Sequence, residues 1–381
     1  MTQPYDTLTC GFLKDIGPMS DRPEAVVGPD LPQGFQLICA DNHWEITEDI
    51  FFENFPAALK DQAPRVWYDD DGFWQVGRRG EFVLPEAAKA ALSRNILHSA
   101  WSHPVRRKHL HLEGMGKEIA FPQSLLGFVS KDPTVREWTL RIYNDYIAEQ
   151  SKLNDEFFGV GIFSNWWDAN SVEAAMEQIV SLGLKTFMLP LTLRGPNGEE
   201  LNFSDPLLDR FWAVANEAGL PVCLHIGEAQ FFSGRGAAAT LSLVTMAPFR
   251  RPLAQMIFGG VFDRYPNLKV VFAEGGLGWV LAFLQDAEMI FDTRGTILDP
   301  TDHRPSQYWH NNCYATFQTD RLGLSNLNVL GADRILWSAD YPHSEGTFGV
   351  TKEAVNSIVD GVGMEDAKLI LGDNARDLFR I

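Results

Sequence analysis

The sequence is poor in cysteine, in basic residues and in long apolar runs, and each shortage excludes a class of protein. Its four cysteines are far apart and form no CxxC pair, so we expect reduced core thiols and no disulfide framework. Lysine and arginine number 32 against 50 aspartates and glutamates, which gives a formal net charge of −18. This balance argues against nucleic acid and anionic membranes as partners. The cysteines are Cys10, Cys39, Cys223 and Cys313.

The chain also lacks the segments that direct a protein to or across a membrane. No run of about 18 apolar residues is present, so no membrane span is expected. The first residues, MTQPYDTLTCGFLKDIGPM, have no basic stretch followed by an apolar one, which argues against a secretory signal. Together with the reduced cysteines, this predicts a cytoplasmic protein.

What the chain does contain is a series of short apolar runs, most of them followed by helical segments. Hydrophobic residues make up 45% of the 381 residues, which is enough for a large core. Continuous apolar strands are typical of parallel sheets buried on both faces, and eight of them predict an α/β fold of the (β/α)8 TIM-barrel type. A doubly wound open sheet is the alternative, but the glycine-rich turn that it expects after strand one is absent. The predicted strands are 36–40, 118–122, 158–163, 186–191, 221–225, 269–273, 312–316 and 334–339, and the predicted helices are 132–154, 171–182, 205–218, 241–262, 279–292 and 365–371.

Two segments lie outside this pattern. Residues 1–33 are rich in proline and glycine and predict an N-terminal extension that wraps the barrel domain, 34–381, or a neighbouring subunit. Residues 50–117 show no strand–helix rhythm, with DDDGFW and RRGEFVLP as loops, and predict an insertion that acts as a lid or substrate wall. The extension and the aromatics of FFENF and DGFW predict a homo-oligomer, a dimer or larger, with a hetero-oligomer left open.

The segment with the strongest chemical signal is QLICADNHWE, residues 36–45. Asp41, His43 and Glu45 follow an apolar strand at i, i+2 and i+4, a spacing that turns all three to one side of an extended chain. Imidazole and carboxylate together can hold zinc, manganese or iron. The alternative is that His43 is a hydrogen-bonded core histidine.

Three further predicted strands end in residues of the same kind. His225 ends strand five, Glu274 follows strand six and Asp340 follows strand eight. Barrel enzymes carry their reactive groups at the C-terminal ends of strands, so these side chains should meet His43 and Glu45 at one centre. Four such strand ends together argue for a metal site rather than for coincidence.

The segments DNHWE, CLHIGE, VVFAEGGLGW and ILWSADYPHSEGT resemble the amidohydrolase superfamily, in its amidohydrolase-related branch, which includes the aminocarboxymuconate-semialdehyde decarboxylase-like enzymes. The resemblance covers residues 36–381. It implies a metal held by His43 and Glu45 at the first motif, by His225 and by Asp340. Glu274 stands where the decarboxylases carry a histidine, and strand four has no lysine at its end, since Lys185 lies at its start. The resemblance therefore does not extend to members that bridge two metals with a carbamylated lysine.

These positions imply roles. His43, Glu45 and His225 would hold the cation, and Asp340 would act as general base and then as acid. Glu274 would be a further ligand or a proton-transfer group, or would orient a ligand histidine. His343, in DYPH, would be catalytic, would bind substrate or a second metal, or would only cap its loop.

Other side chains are candidates for substrate binding. Arg106 and Arg107 lie in the basic segment VRRKHLHLEG and predict an anion-binding wall, or alternatively a solvated loop. Trp166 and Trp167 follow strand three and predict the lining of a pocket at the barrel mouth, or alternatively packing against a helix.

The sequence thus favours a metal-dependent hydrolase in which metal-activated water attacks a small cyclic or aromatic substrate, with an aspartate as base. One alternative is a non-oxidative decarboxylase of an aromatic or unsaturated acid. Another is a dinuclear oxygenase, because the set of histidines and carboxylates also suits an Fe/Fe or Mn/Fe centre. A partner subunit with a degraded site is the non-enzymatic alternative, which the full set of ligand-type residues argues against. The expected cofactor is a divalent metal, Zn, Mn or Fe, and the expected partner is a small-molecule substrate.

Overall fold

Eight strand positions surround a core of large apolar side chains in the computed structural model. The strands are parallel, as their continuous apolar runs predict, and the fold is an α/β barrel. The structure describes residues 10–13, 16–22, 24, 27–70, 72, 74–77, 96–123, 130, 132–227, 234–245 and 248–381.

The barrel strands follow one another around the wall in chain order. The third position is interrupted at Val160, where Val160 N donates to Ala120 O on one side (2.9 Å) and Gly161 N donates to Thr186 O on the other (3.1 Å). The interruption divides the wall into a three-stranded and a six-stranded sheet. The barrel strands are β1 (Leu37–Trp44), β4 (Met115–Pro122), β5 (Phe157–Gly159), β6 (Gly161–Ile162), β7 (Phe187–Leu189), β8 (Val222–His225), β9 (Val270–Ala273), β10 (Cys313–Phe317) and β11 (Ile335–Trp337).

The barrel closes between its first and last strands through residues of the functional motifs. Asp340 N donates to Asp41 O at 2.9 Å, and His43 N donates to Tyr341 O at 2.8 Å. These bonds bring the chain after β11 against the C-terminal half of β1. Closure therefore sets two of the predicted metal-binding segments side by side.

Helices surround the barrel, and several end as the sequence predicts. The helix after β4 begins behind Asp132, whose carboxylate accepts from Thr134 N and Val135 N. The helix before β8 ends at Gly219, which adopts a φ of +63° that favours glycine. The helices are α1 (Ile50–Asn54), α2 (His103–Leu112), α3 (Pro133–Leu153), α4 (Ala169–Ser181), α5 (Asp209–Ala218), α6 (Ala237–Thr245), α7 (Arg250–Phe258), α8 (Val261–Arg264), α9 (Gly278–Arg294), α10 (Pro305–Asn312), α11 (Arg321–Leu324), α12 (Leu327–Leu330), α13 (Thr351–Val362), α14 (Met364–Lys368) and α15 (Asn374–Phe379).

Several of these helices are absent from the sequence-based expectations, α10 and α13 among them. In α10, Pro305 occupies the first turn and the backbone N–H of Arg304 donates to Gln307 Oε1 at 3.0 Å; a proline at this position is a start signal that was available in the sequence. In α13, Val355 and Ile358 mark a buried face at helical spacing. The apolar spacing of α13 continues to Val362, so both helices carried a signal in the sequence.

The insertion carries more structure than expected. Strands β2 (Arg65–Tyr68) and β3 (Trp74–Gly77) pair antiparallel, with the last residue of DDDGFW, Trp74, in β3, and the basic segment forms helix α2. The segment RRGEFVLP lies outside the described residues. Phe51 and Phe55 of FFENF are buried within the chain, so these two aromatics give no support to an oligomer. The four cysteines are free and buried, and no helix among the described residues is long and apolar enough to cross a membrane.

The described part of the N-terminal extension packs against the loop that follows β11. Met19 is fully buried, and its N–H donates to Ser344 Oγ at 3.0 Å. The guanidinium of Arg22 donates to Gly346 O (2.8 Å), to Phe348 O (3.2 Å) and to Ser344 O. The extension thereby fixes a loop that carries candidate site residues.

Candidate metal centre

Strand β1 is longer than predicted and carries the first site residues within it. It reaches Trp44, and every one of its residues is buried. Its pairing with β4 shifts register between Cys39 and Asn42, an irregularity of the kind that re-aims side chains. Asp41 and His43 therefore leave the strand towards the barrel interior.

Asp41, His43 and His225 form the inner donor group, in which one ligand atom from each lies within 4.8 Å of the others. His225 Nε2 is 3.3 Å from Asp41 Oδ1, and His43 Nε2 is 3.9 Å from the same oxygen. Asp41 Oδ2 accepts from Thr316 Oγ1 at 3.1 Å, which orients the carboxylate. Strands β1, β8 and β10 together hold this group.

The two inner histidines present lone pairs to the centre. His225 Nδ1 lies 2.7 Å from the carbonyl oxygen of Ile226, so this nitrogen carries the proton and Nε2 is left as a ligand atom. Neither ring nitrogen of His43 has a hydrogen-bond partner, although the residue is almost fully buried. Buried polar atoms without partners are uncommon and indicate a missing ligand. This favours a ligand role for His43 over the interpretation as a hydrogen-bonded core histidine.

Glu274, Asp340, His343 and Glu345 form the outer donor group, again with ligand atoms within 4.8 Å of one another. Glu274 Oε2 is 3.2 Å from His225 Nε2 and 3.8 Å from His43 Nε2. Asp340 Oδ1 is 3.2 Å from His43 Nε2 and 3.0 Å from His343 Nδ1. The outer donor group thus lies within 3.2 to 3.8 Å of the two histidines of the inner donor group. Glu345 is the residue here that the sequence reasoning missed, although it follows His343 at i+2.

The carboxyl groups and histidines shift one another's pKa. Burial, together with the charges of Asp340, Asp41 and Glu345, raises the pKa of Glu274 well above its usual range. Burial and the neighbouring histidines lower the pKa of His43. Burial opposes ionisation of His343, but the charge and hydrogen bond of Asp340 outweigh it and raise that pKa to about 9. These shifts favour the protonated form of Glu274 and the charged form of His343.

This donor set fits a divalent cation. Metal–ligand bonds of about 2.1 Å place neighbouring ligand atoms about 3.0 to 4.2 Å apart. The distances among Asp41 Oδ1, His43 Nε2, His225 Nε2, Glu274 Oε2 and Asp340 Oδ1 given above run from 3.2 Å to 3.9 Å. Mixed imidazole and carboxylate ligands suit zinc, manganese or iron.

Glu45 is not brought into either donor group. It lies beyond the end of β1, and its Oε1 accepts from Ile46 N at 2.8 Å. Asp41 occupies the place that the resemblance gave to Glu45, so the first motif runs Asp41-x-His43 rather than His43-x-Glu45. The physical reason is that β1 ends at Trp44, so the two-residue period that turns Asp41 and His43 to the same side does not extend to Glu45.

Neither Arg106 nor Arg107 is positioned to bind an anionic substrate. Arg106 is completely buried on α2, where Nε and Nη2 donate to the two carboxylate oxygens of Glu118 at 2.7 Å and 2.6 Å. Arg107 is half exposed and pairs with Asp155 and Glu156. Because the segment is a helix, one arginine turns to the core and the next to solvent, and no anion-binding wall results.

The two tryptophans, Trp166 and Trp167, lie beside a cavity whose lining includes none of the residues of the two donor groups. Trp166 is buried, while Trp167 lines a cavity of about 380 Å³ together with Asn165 and Glu137. The guanidinium of Arg136 lies over both rings, 5.4 Å from the centroid of Trp166 and 4.7 Å from that of Trp167. Trp167 therefore lines a partly polar cavity, and Trp166 packs behind it.

Similarities to known proteins agree with this geometry. A family model described as Amidohydrolase matches residues 127–381. A 2-amino-3-carboxymuconate-6-semialdehyde decarboxylase from Dictyostelium discoideum is 26% identical over 294 residues, which is 75% of this chain and 79% of that protein.

Solved structures show the same fold. An amidohydrolase from Mycobacterium avium subsp. paratuberculosis K-10 has a TM-score of 0.68 at 20% identity and covers 91% of this chain and 100% of its own. A dihydroxybenzoic acid decarboxylase from Polaromonas sp. JS666, with bound manganese and the inhibitor 2-nitroresorcinol, has a TM-score of 0.62 at 18% identity. It covers 91% of this chain and 97% of its own. The (β/α)8 prediction is confirmed.

Proposed function

The chain belongs to the amidohydrolase family, and on this premise we propose that it is a divalent-metal-dependent decarboxylase of a small aromatic or unsaturated carboxylic acid. The observation that carries the proposal is the pair of inward-facing histidine nitrogens, His43 Nε2 and His225 Nε2, buried between the carboxylates of Asp41, Glu274 and Asp340. The names of the curated relatives, which are decarboxylases of small unsaturated and aromatic acids, support the reaction type.

Asp41, His43, His225 and Asp340 would hold the cation. A bound divalent cation would polarise a substrate carboxylate and an adjacent oxygen, and manganese is the first metal to test. Thr316 Oγ1 and the carbonyl of Ile226 orient two of these ligands, a support that commonly decides metal affinity.

Decarboxylation breaks the bond between a carbon atom and its carboxylate and leaves the electron pair on that carbon. Carbon dioxide departs, and the carbon must then take a proton. Glu274 and Asp340 each bring a carboxyl oxygen to the centre, and either can deliver this proton. A histidine at the position of Glu274 is therefore not required, because a carboxyl group there can carry the same proton.

The test is carbon dioxide release by the purified protein reconstituted with Mn²⁺ and supplied with 2,6-dihydroxybenzoate, 5-carboxyvanillate and related acids. We expect turnover with at least one such acid, lost on chelation and in His225→Ala. Hydrolysis of lactones or amides without carbon dioxide release would overturn the proposal in favour of the hydrolase. Substrate-dependent oxygen uptake would overturn it in favour of the oxygenase.

A further inference from the structure

The outer donor group offers more ligand atoms than one cation at the inner group needs. With Asp340 shared, Glu274, His343 and Glu345 still bring three ligand atoms together on the solvent side of the centre. Glu345 lies at the rim and is exposed, whereas Glu274 and Asp340 are buried.

Asp340 is placed to serve two positions at once. Its Oδ1 faces His43 Nε2 at 3.2 Å and His343 Nδ1 at 3.0 Å. Its Oδ2 is buried and has no hydrogen-bond partner. An unpaired oxygen on a fully buried carboxylate is costly unless a cation or donor meets it. Asp340 therefore has the free lone pairs that a bridging ligand requires.

The backbone conformation of two residues in the outer donor group also indicates a functional site. Glu274 has a φ of +67° and Asp340 a φ of +53°, both in the left-handed region. Residues other than glycine occupy this region at a cost in conformational energy, and such residues cluster at functional sites. The two residues are the buried carboxylates of the outer donor group.

Two oxygen atoms orient the ring of His343. Its Nε2 is 2.8 Å from Gln123 Oε1 and its Nδ1 is 3.0 Å from Asp340 Oδ1, so Nδ1 is the nitrogen that would exchange its proton for a cation. A hydrogen bond from the second ring nitrogen to an oxygen is the arrangement that fixes most histidine ligands.

Hydrogen bonds from Arg22 and within the chain after β11 fix the loop that carries His343 and Glu345. Arg22 donates to Gly346 O at 2.8 Å and to Phe348 O at 3.2 Å. Thr347 N donates to Ala339 O at 2.9 Å. These bonds set Glu345 beside the centre as part of a fixed turn rather than of a free loop.

We propose that the centre has a second divalent-cation position formed by Glu274, Asp340, His343 and Glu345, with Asp340 shared between the two cations. The inference rests on the proposed function for its first cation. A second divalent cation would lie among the carboxyl groups of Glu274, Asp340 and Glu345, whose oxygens face one another there, and would offset their mutual repulsion when they ionise. The three carboxylates and single imidazole favour Mn²⁺ or Fe²⁺. Exposure of Glu345 makes this the weaker position.

The experiment is a calorimetric titration of metal-free full-length protein with Mn²⁺, with bound metal counted after gel filtration. We expect two binding events per chain in the wild type. Glu345→Gln should weaken the second event by about 10- to 100-fold and leave the first in place. His343→Gln should act in the same way, and Glu365→Gln, an exposed glutamate on α14, is the matched control that should leave both events unchanged. Melting curves establish that each variant is folded.

Three outcomes of this titration distinguish the second cation position from the proposed function. Two events in the wild type, with the second one lost in Glu345→Gln and in His343→Gln, support the second position. One event per chain in the wild type, or two events unchanged by both substitutions, overturns it and leaves the proposed function standing. No binding in the wild type overturns both.

Discussion

Arg106 and Glu118 form a buried two-point ion pair directly behind the strand that carries the metal-site residues. Glu118 also accepts from Asn42 Nδ2 at 2.6 Å, and Asn42 Oδ1 accepts from Tyr341 N at 2.8 Å. Asn42 lies between Asp41 and His43 in β1. The ion pair is thus connected, through one side chain, to both segments that meet at barrel closure.

Glu118→Gln should strongly destabilise the protein, because it leaves the charge of Arg106 buried without a carboxylate. Breaking one side of a buried pair typically costs about 3 to 5 kcal/mol. Urea unfolding of the metal-free protein measures this loss. The control is Asp155→Asn, which breaks an exposed pair with Arg107 and should cost less than about 1 kcal/mol. Equal losses in the two variants would contradict the structural role of Arg106.

Asp41→Asn should lower metal affinity far more than Glu45→Gln. Asp41 supplies a charged oxygen to the inner donor group, whereas the carboxylate of Glu45 accepts from the backbone of Ile46. We expect at least a tenfold loss of Mn²⁺ affinity in Asp41→Asn and less than a threefold change in Glu45→Gln, on the scale of losses seen at metal sites. Elemental analysis of dialysed protein provides the measurement. The reverse order would restore the assignment that the sequence resemblance suggests.

The difference between Asp41 and Glu45 shows how much of the fold and of the metal site can be predicted from the sequence alone. The barrel is predictable because each parallel strand is a continuous apolar run, and His225, Glu274 and Asp340 are predictable because they end such runs. The choice of Asp41 over Glu45 depends on where β1 ends, at Trp44, and the apolar run that predicts this strand stops at Ala40 and does not mark that end. The burial of Arg106 depends on which face α2 turns inward. A run of basic residues does not reveal this.

Gly346→Ala should disturb the loop that carries His343 and Glu345. A Cβ at this position would lie 2.2 Å from Ala339 O and 2.9 Å from Asp340 O, and both are backbone atoms that cannot simply rotate away. Overpacking of this kind costs about 1 to 3 kcal/mol. Thermal unfolding measures the loss.

Gly361→Ala is the matched control for that substitution. Gly361 lies in α13, where a Cβ meets nothing within 4 Å. Alanine is the better helix former by about 0.5 to 1 kcal/mol, so this variant should be slightly more stable than the wild type. Stabilisation by both alanines would show that the loop after β11 can relax.

His103 should make the protein less stable as the pH falls. Its ring stacks on Trp44 at 4.6 Å, its Nε2 lies 3.0 Å from Gln150 Oε1, and its buried Nδ1 has no partner. Burial lowers the pKa of His103, because a proton on Nδ1 would place charge where no acceptor lies. In the unfolded chain the same group takes a proton near its ordinary pKa of about 6.5.

The direction of the pH dependence follows from the difference between the pKa of His103 in the folded chain and in the unfolded chain. Below pH about 6.5 the unfolded state binds more protons than the folded state, so the stability that His103 contributes is full above that pH and is lost as the pH falls through it. His103→Gln should be less stable than the wild type at pH 7.5, because the stacking on Trp44 is lost, but its stability should fall less between pH 6.5 and pH 5. Urea unfolding of metal-free protein across this range measures both slopes, and His111→Gln, at an exposed position of the same helix, is the control. Parallel slopes for the wild type and His103→Gln would show that another group carries the acid sensitivity.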